Sequence, residues 1–199
     1  MPPAIPQAQR IDLPDSDILY FPGFIGAKKA AQYFQEFRNS VPWRQDPIVV
    51  FGKKHLQPRL TALYGRNGKT YSYSGITMYP HPFTEKLAEL CRAVEAASKG
   101  VFTTCLFNLY RDGNDSNGWH ADNEKELGRN PVIASVSLGA VRSFHLRHRQ
   151  HKQLKYTMEL LPGSLLLMQG PTQHHWLHQV PKTKKAVGER INLTFRYIP

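Results

Sequence analysis

A histidine and an aspartate lie two residues apart in the polar stretch NGWHADNEKEL. On extended backbone such side chains point to the same side, so His120 and Asp122 could supply two ligands to one metal ion. A mononuclear iron(II) site of the facial type takes two imidazoles and one carboxylate. The third ligand would come from PTQHHWLHQVP, where His174, His175 and His178 are the candidates. The alternative is a hydrogen-bonded pair in a surface turn, because H-x-D alone is a weak signal.

The C-terminal segment RINLTFRYI alternates polar and apolar residues. Alternation predicts a strand whose polar face carries Arg190, Asn192, Thr194 and Arg196. The opposite face, which includes Tyr197, should pack on the core. Inward guanidiniums are costly to bury unless an anion binds them, and a carboxylate fits the guanidinium fork. In FNLY, Asn108 and Tyr110 share a face and could donate to that anion. The alternative is an edge strand whose arginines face water.

Apolar spacing predicts two helices that would support these strands. One runs from Ala27 to Asn39, and the other begins after Thr84 as N-cap and ends at Gly100 as C-cap. Most other segments are typical of strands, namely TTCLFNLY, VIASVSLG, SFHLRH, YTMELL, SLLLMQ and RINLTFRYI. We therefore predict a mainly β fold (α+β), an antiparallel sandwich or jelly roll with the helices packed on one side.

Composition limits the classes of protein that fit. The chain has 199 residues and a net charge of +11, so its surface favours polyanions such as nucleic acid. Cys91 and Cys105 lie in apolar runs and indicate reduced core residues of an intracellular protein. We expect no membrane span and no secretory signal peptide.

Two segments differ from the rest in composition. Residues 1–17 are polar and rich in proline, which predicts a flexible N-terminal arm before a single domain over residues 18–199. Residues 48–79 are basic, aromatic and rich in turns, which predicts a β-hairpin lid. Residues 100–199 would form the jelly roll itself.

Taken in order, several motifs resemble those of the AlkB-type Fe(II)/2-oxoglutarate dioxygenases, especially the subgroup that repairs alkylated bases in duplex DNA. The motifs are FGKKH, PR, YSYSG, FNLYRDG, WHADNE, IASVSLGA, HWLHQVP and RINLTFR, from about Ile48 to Ile198. Each motif alone is unspecific, whereas their ordered combination is highly specific. The resemblance implies a double-stranded β-helix in which residues 48–79 form a nucleotide-recognition lid.

The resemblance also implies a ligand set. Iron(II) would be held by His120, Asp122 and His178, with His174 and His175 in supporting roles. The far carboxylate of 2-oxoglutarate would bind Arg190. Its pocket would be completed by Asn108, Tyr110, Thr194 and Arg196. The implied reaction consumes O₂ and 2-oxoglutarate, hydroxylates an N-methyl group of a damaged base, and releases formaldehyde and succinate.

A base inside a duplex must be flipped out to reach such a site. By the same resemblance, Tyr73 would stack the flipped base against His120, and Phe51 would fill the gap left in the duplex. Arg59, Tyr71 and Glu124 would contact the nucleotide, with Glu124 at the base edge. The alternative for Phe51 and the tyrosines is ordinary hairpin packing. The family usually has an acid where this chain has Asn123, which affects the choice among 1-methyladenine, 3-methylcytosine and etheno adducts.

Two basic segments are implied to hold the DNA backbone. RSFHLRHRQHKQLK, which includes Arg147, contains no acidic residue, and Lys182, Lys184 and Lys185 follow the metal histidine. Such contacts give affinity without reading sequence. A solvated basic face is the alternative.

Other functions remain open at this point. They are an RNA-directed or nucleotide-modifying dioxygenase with the same centre, a protein hydroxylase, and a non-catalytic nucleic-acid-binding jelly roll. We expect methylated duplex DNA as the main partner, with single-stranded DNA or RNA as further substrates. We also expect a monomer that acts in bacterial cytoplasm or in a eukaryotic nucleus.

Overall fold

Two long helices lie where their apolar spacing predicts them. The computed structural model describes residues 7–50, 53–73 and 76–199. The helices are α1 (Ala27–Ser40), α2 (Glu85–Ser98) and a short α3 (Thr172–His175), with a 3-10 turn at Lys125–Leu127. Thr84 caps α2 as predicted, since its Oγ1 accepts from the backbone N–H of Leu87 at 3.2 Å. The C-cap prediction is wrong: Lys99, and not Gly100, takes the left-handed conformation, with φ of 55°.

The strands form two main sheets and two hairpins over the described residues. The strands are β1 (Gln9–Ile11), β2 (Asp17–Phe21), β3 (Pro47–Val50), β4 (Lys53–Leu56), β5 (Leu60–Gly65), β6 (Tyr71–Tyr73), β7 (Ile76–Met78), β8 (His81–Pro82), β9 (Thr104–Tyr110), β10 (Asn117–His120), β11 (Ile133–Gly139), β12 (Arg142–His148), β13 (Lys155–Leu160), β14 (Leu165–Gln169), β15 (Trp176–Val180) and β16 (Arg190–Arg196). The major sheet has the order β1-β2-β14-β11-β16-β9-β5-β8, and the minor sheet has the order β10-β15-β12-β13. Apart from the short β5–β8 contact, these pairs are antiparallel, as a jelly roll requires.

Two apolar cores fix the sheets in place. One core packs the helices against the major sheet, for example Phe37 of α1 and Leu90 of α2 beside Phe107 of β9. The other lies between the two sheets and includes Leu106 of β9 and Leu146 of β12. The fold is therefore a mainly β jelly roll with helices on one side, as predicted.

Strand β16 follows the predicted alternation over most of its length. Ile191, Leu193 and Phe195 are fully buried in the core beneath the helices. Tyr197 is an exception, because the strand ends at Arg196 and the tyrosine is 49% exposed. The prediction that Tyr197 packs on the core is wrong.

The N-terminal residues differ from the predicted flexible arm. Residues 9–11 form β1, which pairs with β2 in antiparallel register, and β2 pairs in turn with β14. The indole N–H of Trp176 donates to the carbonyl of Pro14 at 2.8 Å. Backbone pairing and this long-range bond hold the described part of the segment, residues 7–17, on the major sheet.

The lid region contains two β-hairpins. Strand β3 pairs with β4, and β6 pairs with β7. Phe51 lies outside the described residues, and Tyr73 is described only through its backbone in β6. Among the residues described, no helix is long and apolar enough to cross a membrane.

Candidate metal centre and co-substrate pocket

Strands β10 and β15 bring the three predicted ligands together. Their antiparallel pairing sets His120 opposite His178, and Asp122 follows two residues beyond β10. One donor atom from each of the three lies within 4.8 Å of the others. His178 Nε2 is 3.6 Å from Asp122 Oδ2, and the two imidazole centroids are 4.2 Å apart. The chain thus gathers an imidazole and a carboxylate that are two residues apart with a second imidazole more than fifty positions further along the sequence.

Neighbouring hydrogen bonds orient this cluster. His120 Nδ1 donates to the carbonyl of Gly118 at 2.8 Å, and the Asn117 amide donates to Nε2 at 3.2 Å. Both contacts fit the same tautomer, with the proton on Nδ1 and a lone pair on Nε2 that a metal would take in place of the Asn117 amide. The backbone N–H of Asp122 donates to Gln173 Oε1 at 2.9 Å, which fixes the loop that carries the carboxylate.

The electrostatics keep the donor atoms of Asp122 and His178 unprotonated. Burial opposes ionisation of Asp122, but Arg196, whose NH2 lies 2.5 Å from Oδ1, and His178 outweigh it and lower the pKa of this carboxyl. Burial, with His120 close by, lowers the pKa of His178 to about 3. Metal ligands must be deprotonated to bind, so the cluster is ready for a cation at neutral pH.

This donor set fits iron(II). Two imidazoles and one carboxylate form the facial arrangement typical of non-haem iron(II) oxygenases, which leaves positions open for other ligands. A cavity of about 600 Å³ is lined by all three ligands. The open side of the cluster therefore faces a space that a second molecule can occupy.

Arg190 lies in the same cavity and has donors to spare. Its side chain is 1% exposed, and its NH2 donates to Ser137 Oγ at 2.9 Å. Its Nε and NH1 have no hydrogen-bond partner among the described residues. Burial lowers the pKa of Arg190 to about 10, so the group is still charged at neutral pH. A buried cation with two free donors indicates that an anion, such as a carboxylate, binds there.

The other predicted co-substrate residues also line this cavity. They are Asn108, Tyr110, Thr194 and Arg196. The ring of Tyr110 lies under the Arg190 guanidinium, 5.2 Å from centroid to Cζ. Asn192 Oδ1 accepts from the Thr194 hydroxyl at 2.9 Å and from the Asn108 amide at 3.4 Å. These bonds tie β9 and β16 into one polar wall.

Comparisons with known proteins agree with this chemistry. The model of the 2OG-Fe(II) oxygenase superfamily matches residues 17–196. Human DNA oxidative demethylase ALKBH2 is 39% identical over 183 residues, covering 87% of this chain and 70% of that protein. The chain belongs to the AlkB-type 2-oxoglutarate- and Fe(II)-dependent dioxygenases. Iron(II), 2-oxoglutarate and O₂ are the metal and co-substrates of this family.

Other relatives extend the comparison. Human alpha-ketoglutarate-dependent dioxygenase alkB homolog 3 is 39% identical over 192 residues, which cover 92% of this chain and 66% of that protein. Arabidopsis thaliana DNA oxidative demethylase ALKBH2 is 36% identical, covering 97% of this chain and 70% of that one. The chain thus spans about two thirds of the length of these relatives. The solved structure of OsALKBH1 matches with a TM-score of 0.70 at 16% identity, over 96% of this chain and 99% of that one, and shows the shared fold.

Tyr71 of β6 contacts two residues beside the metal centre, Glu124 and Arg196. Its hydroxyl donates to Glu124 Oε1 at 2.7 Å, and its ring lies under the Arg196 guanidinium at 5.1 Å. Burial raises the pKa of Tyr71, which therefore stays a neutral donor. Glu124 Oε2 is buried and has no hydrogen-bond partner among the described residues, so it can accept from a ligand in the cavity. Asn123 beside it is exposed.

Arg59 is a buried residue of the cavity wall that hydrogen-bonds to Asn108. It is 7% exposed, its Nε donates to Asn108 Oδ1 at 2.8 Å, and its NH1 donates to the Ser116 carbonyl at 3.2 Å. Arg59 also lines the cavity. The structure thus shows it positioning Asn108, while its predicted contact with the nucleotide stays a prediction.

Only part of the predicted basic segment 142–155 faces solvent. Arg142 is 2% exposed and donates to three backbone carbonyls, those of Asp112, Asp115 and Pro181, at 2.7–3.0 Å. Residues 142–148 form β12, in agreement with the predicted strand SFHLRH, and the implied contact of the rest of this segment with DNA stays a prediction. Lys182, Lys184 and Lys185 are exposed as predicted.

His175 belongs to a second cluster, with Asp15 and His148. His148 Nδ1 accepts from the backbone N–H groups of Gln150 and His151 at 3.3 and 3.0 Å. Its proton therefore lies on Nε2, which faces Asp15 Oδ2 at 3.3 Å and has no lone pair to offer a metal. This cluster joins the N-terminal segment to the minor sheet.

Several residues around the centre escaped the sequence analysis. Gln173 and Ser137 act only through neighbours that are distant in sequence, so no local pattern reveals them. Trp119 is different, because an exposed tryptophan directly before a metal histidine is visible in the motif WHADNE.

Proposed function

We propose that this protein removes alkyl groups from nucleobases in DNA by iron(II)- and 2-oxoglutarate-dependent hydroxylation. The observation that carries the proposal is one cavity that holds both a His-Asp-His cluster and the two unpartnered donors of Arg190. The names of the ALKBH2 relatives, which are DNA oxidative demethylases, support the choice of DNA.

Each side chain would have a defined task. Arg190 binds the far carboxylate of 2-oxoglutarate through its Nε and NH1, which aligns the keto-acid end towards the cluster. Asn108, Thr194 and Asn192 hold the walls of that pocket. Arg196 keeps Asp122 ionised and in place.

The substrate base would occupy the remainder of the cavity. The free Oε2 of Glu124 accepts from the amino edge of the base, and Tyr71 holds the other carboxylate oxygen in position. We propose that Tyr73 stacks the flipped base against His120 and that Phe51 fills the gap that this base leaves in the duplex. The bound metal with O₂ and 2-oxoglutarate supplies the oxidation of the N-methyl group, which leaves as formaldehyde while succinate and CO₂ form.

The preferred substrate would be duplex DNA that contains 1-methyladenine or 3-methylcytosine, with etheno adducts as further lesions. The exposed lysines at 182, 184 and 185 and the net charge of +11 support contacts with two phosphate backbones. We further propose that the protein acts as a monomer, in bacterial cytoplasm or in a eukaryotic nucleus, where its substrate is located.

The test is turnover on defined oligonucleotides. Methylated duplex DNA, single-stranded DNA and RNA are incubated with iron(II), ascorbate and 2-oxoglutarate, and formaldehyde and succinate are measured against the repaired base. Equal amounts of the three products on DNA support the proposal. DNA binding without formation of succinate would contradict the proposed enzymatic activity. Turnover of RNA alone would contradict the proposal that DNA is the substrate.

Duplex preference has its own test. Phe51→Ala should reduce repair of duplex DNA more than repair of single-stranded DNA, because only a duplex has a gap to fill. Tyr197→Ala, at an exposed aromatic outside the cavity, serves as the control. Equal losses on both substrates would show that Phe51 does not act as a finger.

A further inference from the structure

Trp119 is a partly exposed aromatic residue of the cavity wall. It directly precedes His120 and lines the cavity, yet 36% of its surface is exposed. Of the other two tryptophans, Trp43 is half-buried and Trp176 is 1% exposed. A large aromatic that both lines a cavity and faces water must lie at its opening.

The guanidinium of Arg147, on another strand of the minor sheet, stacks on the indole of Trp119. The guanidinium carbon of Arg147 lies 4.5 Å from the centroid of the Trp119 ring. Arg147 is on β12 and Trp119 is on β10, so this contact spans β15, the strand between them. Stacking on Arg147 fixes the plane of the indole without burying it.

The strand that carries Trp119 is open on one side. Among the described strands, β10 is at the edge of the minor sheet and pairs only with β15. Lys155, exposed on β13, pairs with Arg147 in register and adds positive charge nearby. An oriented aromatic beside basic side chains is the arrangement that proteins use to stack unpaired bases of a nucleic acid.

We propose that Trp119 stacks on a nucleobase adjacent to the target base in the same strand. The inference rests on the proposed function, since it takes the target base to lie beside His120. Trp119 and His120 are adjacent in the chain and line the same cavity. A base next to the target therefore comes within reach of the indole. Arg147 is then a positioning residue for Trp119.

The experiment varies protein and substrate together. Substrates are single-stranded oligonucleotides with one 1-methyladenine, either intact or with an abasic site 5′ or 3′ to the lesion. On the intact oligonucleotide, Trp119→Ala should lower kcat/KM roughly tenfold, the scale of one lost base–aromatic stack. On one of the two abasic substrates, kcat/KM of the unchanged protein should be lower by the same factor. On that substrate, Trp119→Ala should not lower kcat/KM further.

Matched variants separate stacking from a structural role. Trp119→Phe keeps an aromatic face and should retain most of the activity, whereas Tyr197→Ala should behave like the unchanged protein. Thermal melting checks that each variant is folded. If Trp119→Ala loses the same factor on the intact and on both abasic substrates, the stacking role is wrong.

A binding measurement remains decisive if no substrate is turned over. With manganese(II) and N-oxalylglycine in place of iron(II) and 2-oxoglutarate, the intact oligonucleotide should quench tryptophan fluorescence more than one of the abasic oligonucleotides. Trp119→Phe should remove that difference. Quenching that is equal for all three oligonucleotides overturns the inference, while absent turnover with unequal quenching contradicts only the proposed function.

Discussion

Arg190 and Arg196 lie on the same face of β16, but only Arg196 is paired with a carboxylate of the protein. Arg196 NH2 is 2.5 Å from Asp122 Oδ1, and that carboxylate raises the pKa of Arg196 despite the burial of the guanidinium. Arg190 has no carboxylate partner among the described residues; its NH2 donates to Ser137 Oγ, and its Nε and NH1 have no hydrogen-bond partner there. One arginine therefore completes the metal centre, and the other is left for a ligand.

Replacing Arg190 with alanine should chiefly raise the KM for 2-oxoglutarate. Two charge-assisted hydrogen bonds would be lost, which corresponds to roughly 100-fold or more. The measurement is initial rate against 2-oxoglutarate concentration at saturating DNA. Arg190→Lys keeps the charge without the fork and should lie in between. An unchanged KM in Arg190→Ala would show that the anion binds elsewhere.

Asp122→Ala should abolish both turnover and metal binding, because the centre loses its only carboxylate ligand among the described residues. Bound manganese per chain, measured after gel filtration, reports the loss directly. Asp15→Ala alters the second His/Asp cluster and should keep the full metal content. Equal metal loss in both variants would mean that the wrong cluster was assigned.

At the residue scale, the sequence revealed side chains whose chemistry is unusual for their position. His120 and Asp122 were predicted from their H-x-D spacing and from the resemblance to AlkB-type dioxygenases, and Arg190 was predicted because an inward arginine is costly to bury without an anion. Arg142 was misinterpreted because burial of a basic residue by three backbone carbonyls depends on contacts from residues 112, 115 and 181. Such long-range partners leave no local pattern.

At the scale of elements, the loop that carries the exposed lysines is fastened to the turn after β9. The N–H of Thr183 donates to the carbonyl of Gly113 at 2.8 Å, and Arg142 binds the carbonyls on both sides of this junction. A Cβ at Gly113 would collide with the carbonyl oxygen of Thr183. The close approach requires glycine there.

Gly113→Ala should move the lysine loop and weaken DNA binding while the metal centre stays intact. Overpacking of this kind costs about 1–3 kcal/mol. Fluorescence anisotropy with duplex DNA measures affinity, and bound manganese checks the centre. Gly23→Ala is the control, since no atom lies within 4 Å of its added Cβ. Unchanged affinity in Gly113→Ala would show that the loop does not touch DNA.

The strands of the jelly roll were predictable because each shows alternation or a continuous apolar run between turns. Strand β1 was not, because only its last residue, Ile11, is buried and its pattern resembles that of a polar tail. At the end of α2, Lys99 and not Gly100 is left-handed, and the backbone N–H of Phe102 donates to Glu95 Oε1 at 3.1 Å. Local propensity does not contain that contact.

At the scale of the whole molecule, a net charge of +11 should make DNA binding strongly dependent on salt. Basic residues also occur far from the cavity, for example Lys28 on α1. The total charge therefore predicts the class of partner, whereas only mutagenesis identifies the face that meets it.

Lys184→Ala should lower the slope of log affinity against log salt by about 0.9, the value for one phosphate contact on duplex DNA. Methylated and unmethylated duplexes should be affected alike, because a phosphate contact carries no base information. Lys28→Ala, which removes the same charge from an exposed helix position, should leave the slope unchanged. A similar decrease in both variants would indicate diffuse attraction by net charge.

The first described residues of the chain are connected to the metal centre by a short series of bonds. Thr172 Oγ1 accepts from the N–H of Asp17 at 2.9 Å, and Gln173, the next residue, accepts from the N–H of Asp122. Proteolytic removal of the segment around Asp17, or a fusion partner that displaces it, would therefore disturb the position of Asp122, although this carboxylate lies about a hundred residues later in the sequence. The segment around Pro14 and Asp17 is therefore part of the framework that holds the metal ligands, although it lies about a hundred residues before them in sequence.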